Sequence, residues 1–244
     1  MSADPMPDFP RKPTPGERLT PADRPGFLGL LMLDTRFPRP LGDIGQLDTY
    51  TRAGIPVRRV TVQGASVQRI VMQSDPTWLA PFTRAAQSLV QQGARMIATS
   101  CGFLAAHQTA LQRALPVPVW TSSLLQCRWL ADVGIVTFDA QALTPAILQA
   151  AGVPEDTPVA GLTPGCELHR RILNNDTTLD LAQAERDVVA AALRLTAAHP
   201  GLRRLVLECT NMPPYRDAVA RATGCQVFDA ETLFTQAWRG DITI

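Results

Sequence analysis

Histidines, long apolar runs and paired cysteines are what this sequence lacks. Its three histidines show no metal-site spacing, and none of its five cysteines falls in a CxxC pair. A structural zinc site, a catalytic metal and a disulfide framework all fit poorly, and the thiols are expected to be reduced. No apolar run reaches the roughly eighteen residues a membrane-spanning helix needs. A formal net charge of +1 offers neither a nucleic-acid footprint nor a polyacidic surface. The first apolar run ends in "LMLDTRFP" without a glycine-rich turn, which argues against a dinucleotide or ATP site.

What is present suits an ordinary globular protein. The hydrophobic fraction is 45%, and 244 residues suffice for one large domain or two of roughly 110 residues, each with its own core. Residues 1–25 hold seven prolines and no apolar signal-peptide core, so they read as a disordered arm, and a cytoplasmic location is expected.

From residue 26 onward strand and helix patterns alternate. "FLGLLML" reads as a buried strand leading into a long Pro- and Gly-rich loop, while "IPVRRVTV" and "SVQRIVM" read as strands around Gly64. A helix capped by Asp75 and Pro76 and stopped by Gly93 follows. Then come strand "ARMIATS", helix "FLAAHQTALQRAL", strand "VPVWTSS" and a helix over Leu124 to Ala131. The second half repeats the style, from strand "GIVTF" and helix "AQALTPAILQAAG" to a long helix from Leu179 to Ala198, strand "RRLVLE", a helix opening at Pro213 and Pro214, strand "QVFDA" and a last helix from Glu231. Continuous apolar strands between helices predict an α/β fold with parallel sheets covered on both faces.

Two strands end in a cysteine. "IATSCGF" places Cys101 after one, and "RLVLECTNMPPY" places Cys209 after another about half a chain later, each beside a small polar residue (Ser100, Thr210) and before a helix. Ligands of open α/β sheets sit beyond the carboxyl ends of strands. A helix N-terminus there favours a thiolate and lowers a thiol from its free value of about 8.5. One thiol then serves as base and the other as acid. A free cysteine is also a small hydrophobe, and that packing role is assigned to Cys127, Cys166 and Cys225.

At these residues the chain resembles the cofactor-independent aspartate/glutamate racemase superfamily, which includes hydantoin racemases, maleate isomerases and arylmalonate decarboxylases. "ECTNMPPY" is similar to that family's second cysteine motif, Gly-Cys-Thr with an apolar residue and Pro following. "TSCGFLAAHQTALQRALPVPVWTSS" is similar to the first. "ELHRRILNNDTTLDLAQAERDVVAAALRL" looks like the stretch before the second cysteine strand. The resemblance covers roughly residues 26 to 240. It departs from the family at Gly102-Phe103, where Asn-Thr is usual, and at Glu208, where Gly is common.

The resemblance implies two pseudo-symmetric parallel-sheet domains, 26–124 plus 226–244 and 125–225, with the active site in the cleft between them. It implies Cys101 and Cys209 on opposite faces of the substrate α-carbon, one removing a proton and the other returning one, without cofactor or metal. Because an α-proton is very weakly acidic, donors must neutralise the adjoining carboxylate. The helix-start amides at Gly102 and beyond, with Ser100, Thr121, Ser122, Thr210 and Asn211, are the candidates. Asp34 and Thr35 lie in a loop that in the family reaches the substrate, and Asp34 suits an ammonium group.

The expected function is racemisation or epimerisation of an amino acid or similar small carboxylate. The alternatives are a maleate isomerase, hydantoin racemase or arylmalonate decarboxylase activity, or a non-catalytic carboxylate binder. Cysteine-hydrolase chemistry would need a His partner, for which His107 is the sole candidate; His169 and His199 are read as surface residues. A small-molecule carboxylate is the expected partner, nucleic acid and membrane are not, and a homodimer is left open.

Overall fold

The computed structural model describes residues 25–243; the proline-rich arm lies outside them, apart from Pro25. Two four-stranded, all-parallel sheets form the frame. The first contains β1 (Phe27–Met32), β2 (Val57–Thr61), β3 (Ala94–Thr99) and β4 (Val119–Trp120) in the order β2-β1-β3-β4. The second contains β5 (Val133–Thr137), β6 (Val159–Gly161), β7 (Arg204–Leu207) and β8 (Gln226–Phe228) in the order β6-β5-β7-β8. Each half thus orders its strands second, first, third, fourth, so β3 and β7 are equivalent.

Central strands carry the apolar runs for a simple reason: both their faces are covered. All six residues of β1 are buried, whereas β2 is an edge strand and exposes Arg58 and Arg59. Helices α1 (Leu47–Thr51), α2 (Leu79–Gln91), α3 (Gln108–Ala114) and α4 (Pro145–Ala151) precede α5 (Glu167–Asn174), α6 (Leu181–Ala198), α7 (Arg216–Thr223) and α8 (Ala230–Arg239). Asp75 caps the 3-10 turn Pro76–Trp78 that opens α2 by accepting the Thr77 N–H. Gly93 leaves that helix at φ +101°, a conformation that costs glycine little. Asp180 caps α6 through Gln183, and Asp229 closes a capping box with Thr232 at α8, satisfying amides that the first turn leaves without partners.

Several expectations need correction. "SVQRIVM" is a π-helical turn over Gln68–Met72, not a strand: it buries Ile70 and Val71 on one side, and Gln68, an extended reading's inward neighbour, is exposed. The helix after Cys101 begins as a 3-10 segment, Gly102–His107, before α3, and Ser123–Trp129 is 3-10 throughout. The short helix α5 sits in a stretch whose charged sequence hid its apolar side, Leu168 and Ile172. The boundary at 225/226 does not hold for β8, which pairs with β7 in the second sheet. Only beyond it does the chain return: Arg95 lies over the Trp238 ring, 3.4 Å from its centroid, and donates to the Trp238 carbonyl at 3.2 Å.

Candidate active site

Because β3 and β7 hold equivalent places, the loops leaving their carboxyl ends face one another. The Thr210 hydroxyl donates to the Ser100 carbonyl at 2.7 Å, fastening one cysteine loop to the other. Cys101 and Cys209 line one small pocket together with Ser100, Gly102, Thr210 and Asn211. Residues of both halves contribute to it, and most of the remaining wall is apolar: Leu33, Phe37, Val67, Val71, Phe103, Phe138 and Ile172. Arg39 and Glu208 complete the lining.

One floor of the pocket is organised by Asp43, which is wholly buried. It accepts from Arg39 Nη1 at 2.8 Å, Gly45 N at 2.7 Å and Asn211 Nδ2 at 2.6 Å. Arg39 also donates to Thr35 Oγ1 at 2.9 Å and lies over Phe37, 4.7 Å from the ring centroid. The guanidinium is thereby both paired and aimed. Asn211 Oδ1 in turn accepts from Cys209 Sγ at 3.5 Å, so the second thiol is held by the same lattice.

The thiols do not have lowered pKa values, contrary to the helix N-terminus expectation. Burial pushes Cys101 up to about 12, with the Glu208 carboxylate adding to the rise. Burial, then Glu208, also holds Cys209 well above the ordinary thiol value. The N–H groups of Phe103 and Leu104 at Cys101, and of Asn211 at Cys209, pull the other way. One short 3-10 turn does not offset the loss of water around a thiolate. Raised in this way, both thiols carry their protons at neutral pH.

Other expected binding residues lie elsewhere. Thr121 donates to Gln108 Oε1 at 2.6 Å, and Ser122 caps Leu124. Asp34 accepts from Gly64 N at 2.9 Å. None of these three, nor Thr35, lines the pocket, although Thr35 touches it through Arg39. Cys127, Cys166 and Cys225 are outside it. His169 is buried and stacked on Phe138, with ring centroids 4.7 Å apart, rather than at the surface.

Sequence reasoning passed over Glu208 and the aromatic walls. Glu208 is wholly buried, its Oε2 accepting from Thr137 Oγ1 at 2.8 Å while Oε1 has no partner among the described residues. A signal existed, since Glu208 departs from the resembled motif beside a candidate cysteine. Phe37, Phe103 and Phe138 gave none, being ordinary core residues in any sequence.

No family model matches the chain. Over 238 residues it is 31% identical to dimethylsulfoniopropionate lyase 3 of Emiliania huxleyi, covering 88% of this chain and 59% of that protein. It is 28% identical to the dimethylsulfoniopropionate lyase of Durusdinium sp. clade D, covering 90% of this chain and 76% of that one. The chain thus spans little more than half the length of the Emiliania relative. Among solved structures, a liganded arylmalonate decarboxylase variant aligns with TM-score 0.59 and 17% identity over 90% of this chain and 94% of the other. Allantoin racemase from Pseudomonas fluorescens aligns with TM-score 0.57 and 16% identity over 88% and 90%. Glutamate racemase from Bacillus anthracis aligns with TM-score 0.56 and 13% identity over 88% and 81%. The fold is the one these decarboxylase and racemase structures share. No described helix is long and apolar enough to cross a membrane.

Proposed function

We propose that this chain is a carbon–sulfur lyase acting on a small sulfonium carboxylate of the dimethylsulfoniopropionate type. The observation that carries the reading is the opening of two thiols onto one mostly apolar, aromatic-walled pocket. Its sequence relatives are dimethylsulfoniopropionate lyases, and that likeness selects elimination from the proton-transfer reactions the fold supports.

The chemistry begins with a cysteine thiolate removing the proton on the carbon next to the substrate carboxylate. The electron pair so released forms the carbon–carbon double bond as the β-carbon–sulfur bond breaks. Dimethyl sulfide leaves with the bonding pair, acrylate remains, and the new thiol later returns its proton to solvent. A neutral leaving group makes the departure easy. The difficulty is making the thiolate.

A cationic substrate supplies part of the answer. With the thiols raised by burial, a sulfonium centre nearby favours the charged form of the base. The same cation has no lone hydrogen-bonding atom to satisfy, so methyl groups on sulfur suit Phe37, Phe103 and Phe138, whose ring faces attract positive charge. An amino acid ammonium would instead require hydrogen-bond acceptors, and Asp34 is spent on Gly64 outside the pocket.

Two-base racemisation is the second reading, favoured by the presence of a thiol on each loop. The test separates them. Incubated with dimethylsulfoniopropionate in D2O, the protein is expected to release dimethyl sulfide and acrylate, measured by gas chromatography and proton NMR. Absence of sulfide, with deuterium entering an amino acid as it inverts, would overturn the lyase reading in favour of the racemase.

A further inference from the structure

Glu208 is a charged residue type in a place where charge is expensive. It is 0% exposed, directly precedes Cys209 and lines the pocket. Oε2 takes the Thr137 hydroxyl at 2.8 Å, and the Phe138 N–H also favours its negative form. Among the described residues Oε1 has no hydrogen-bond partner. That oxygen lies on the side of Gly102 where a β-carbon would project, against the backbone that follows Cys101. Glycine at 102 makes room for it.

We propose that Glu208 is a third working group of the pocket, a protonated carboxyl that donates a hydrogen bond from Oε1 to the carboxylate of the bound substrate. The proposal rests on reading the pocket as a site for a small carboxylate, and adds how that carboxylate is recognised.

The alternatives to the neutral form conflict with the site. An ionised Glu208 raises both thiols, opposing the thiolate that proton abstraction requires. It would leave Oε1 as an uncompensated buried anion, a costly arrangement. As a neutral acid it removes that repulsion and turns the orphaned oxygen into a donor, which a carboxylate can accept in a short, charge-assisted bond. Two nearby side-chain donors are already engaged: Asn211 Nδ2 serves Asp43 and the Thr210 hydroxyl serves Ser100. As the α-proton leaves, charge grows on the substrate carboxylate, so a donor there also favours the transition state.

The titratable surroundings agree. Cys209 flanks Glu208 on its own loop and Cys101 stands on the facing one; the end of β5 presents Thr137 and Phe138, with His169 and Asp139 beyond the ring. Across the pocket, Arg39 is paired with Asp43. Among the described residues no cation makes an ion pair with Glu208, and burial raises its carboxyl to about 7.

Propionate, which has the carboxylate but no leaving group, is the probe. Its binding to the full chain is measured by calorimetry from pH 5.5 to 8.5. In the parent protein affinity is expected to fall about tenfold per pH unit above the Glu208 pKa. Glu208→Gln, which keeps a donor that cannot ionise, is expected to retain most of the affinity and lose that pH dependence, while Glu208→Ala loses at least about tenfold. Flat binding in the parent protein, or a Gln variant as weak as Ala, would overturn the assignment. Should either variant fail to fold, infrared difference spectra of the parent protein decide: a carboxylic C=O band that shifts when propionate is added supports the donor, and no such band overturns it. None of these readouts needs turnover, so failure of the lyase reading is recognised separately by the absence of dimethyl sulfide.

Discussion

Glu208 occupies the space that a side chain on Gly102 would need. A β-carbon built at Gly102 would stand 2.6 Å from the Glu208 carbonyl oxygen and closer still to the carboxyl. The two departures from the resembled cysteine motifs are therefore one change made on both sides of a contact. Removing a side chain from the first loop admits a carboxyl from the second.

Gly102→Ala tests that contact. The new methyl meets backbone as well as side chain, so the loops must separate, and a stability loss of about 1–3 kcal/mol is expected in urea unfolding. In a Glu208→Gly background the same substitution should cost less, because only the carbonyl contact remains. Equal costs in both backgrounds would show that the carboxyl does not confine position 102.

The cysteines should respond unequally. Elimination needs one base, and removing a general base typically costs about a hundredfold to ten-thousandfold. Cys101→Ser and Cys209→Ser are each to be assayed for dimethyl sulfide release. One is expected to collapse by at least about a hundredfold, the other to keep measurable turnover. Equal collapse, together with loss of α-proton exchange in both, would point back to two-base chemistry.

Stability should vary with pH through Glu208. Its folded pKa lies near 7 against an unfolded 4.5, so the native state binds more protons between those values and stability falls as pH rises through the window. The full difference is on the order of 3 kcal/mol. Comparing urea midpoints of the parent protein and Glu208→Gln from pH 4.5 to 8 should show this slope only in the parent.

Asp43 should matter although it does not itself line the pocket. Asp43→Ala strands the Arg39 guanidinium and frees Asn211, both buried or nearly so. Breaking a buried pair on one side costs about 3–5 kcal/mol, and the parent and variant thermal midpoints measure it. Asp43→Asn, which keeps one acceptor, should lose less. In either variant propionate binding should weaken, because Asn211 and the Arg39 wall of the pocket lose their anchor.

Local physics made much of this molecule legible in one dimension. Continuous apolar strands between helices specify parallel sheets, because a strand covered on both faces has no polar side. Asp75 with Pro76, and Gly93 at positive φ, mark helix ends through bonds within a few residues. Cys101 and Cys209 stood out because each follows a strand and precedes a turn. Tertiary structure alone decided the rest. Burial is a property of the whole packed chain, so the thiols' raised pKa values could not be read from their local helix starts. The same holds for which polar residues face inward: Thr121 and Asp34 turn away to Gln108 and Gly64, whereas Arg39 and Asp43 fold under the site. The meeting of Gly102 with Glu208 belongs to no local segment, since only the apposition of β3 and β7 brings a missing side chain and a buried acid to the same place.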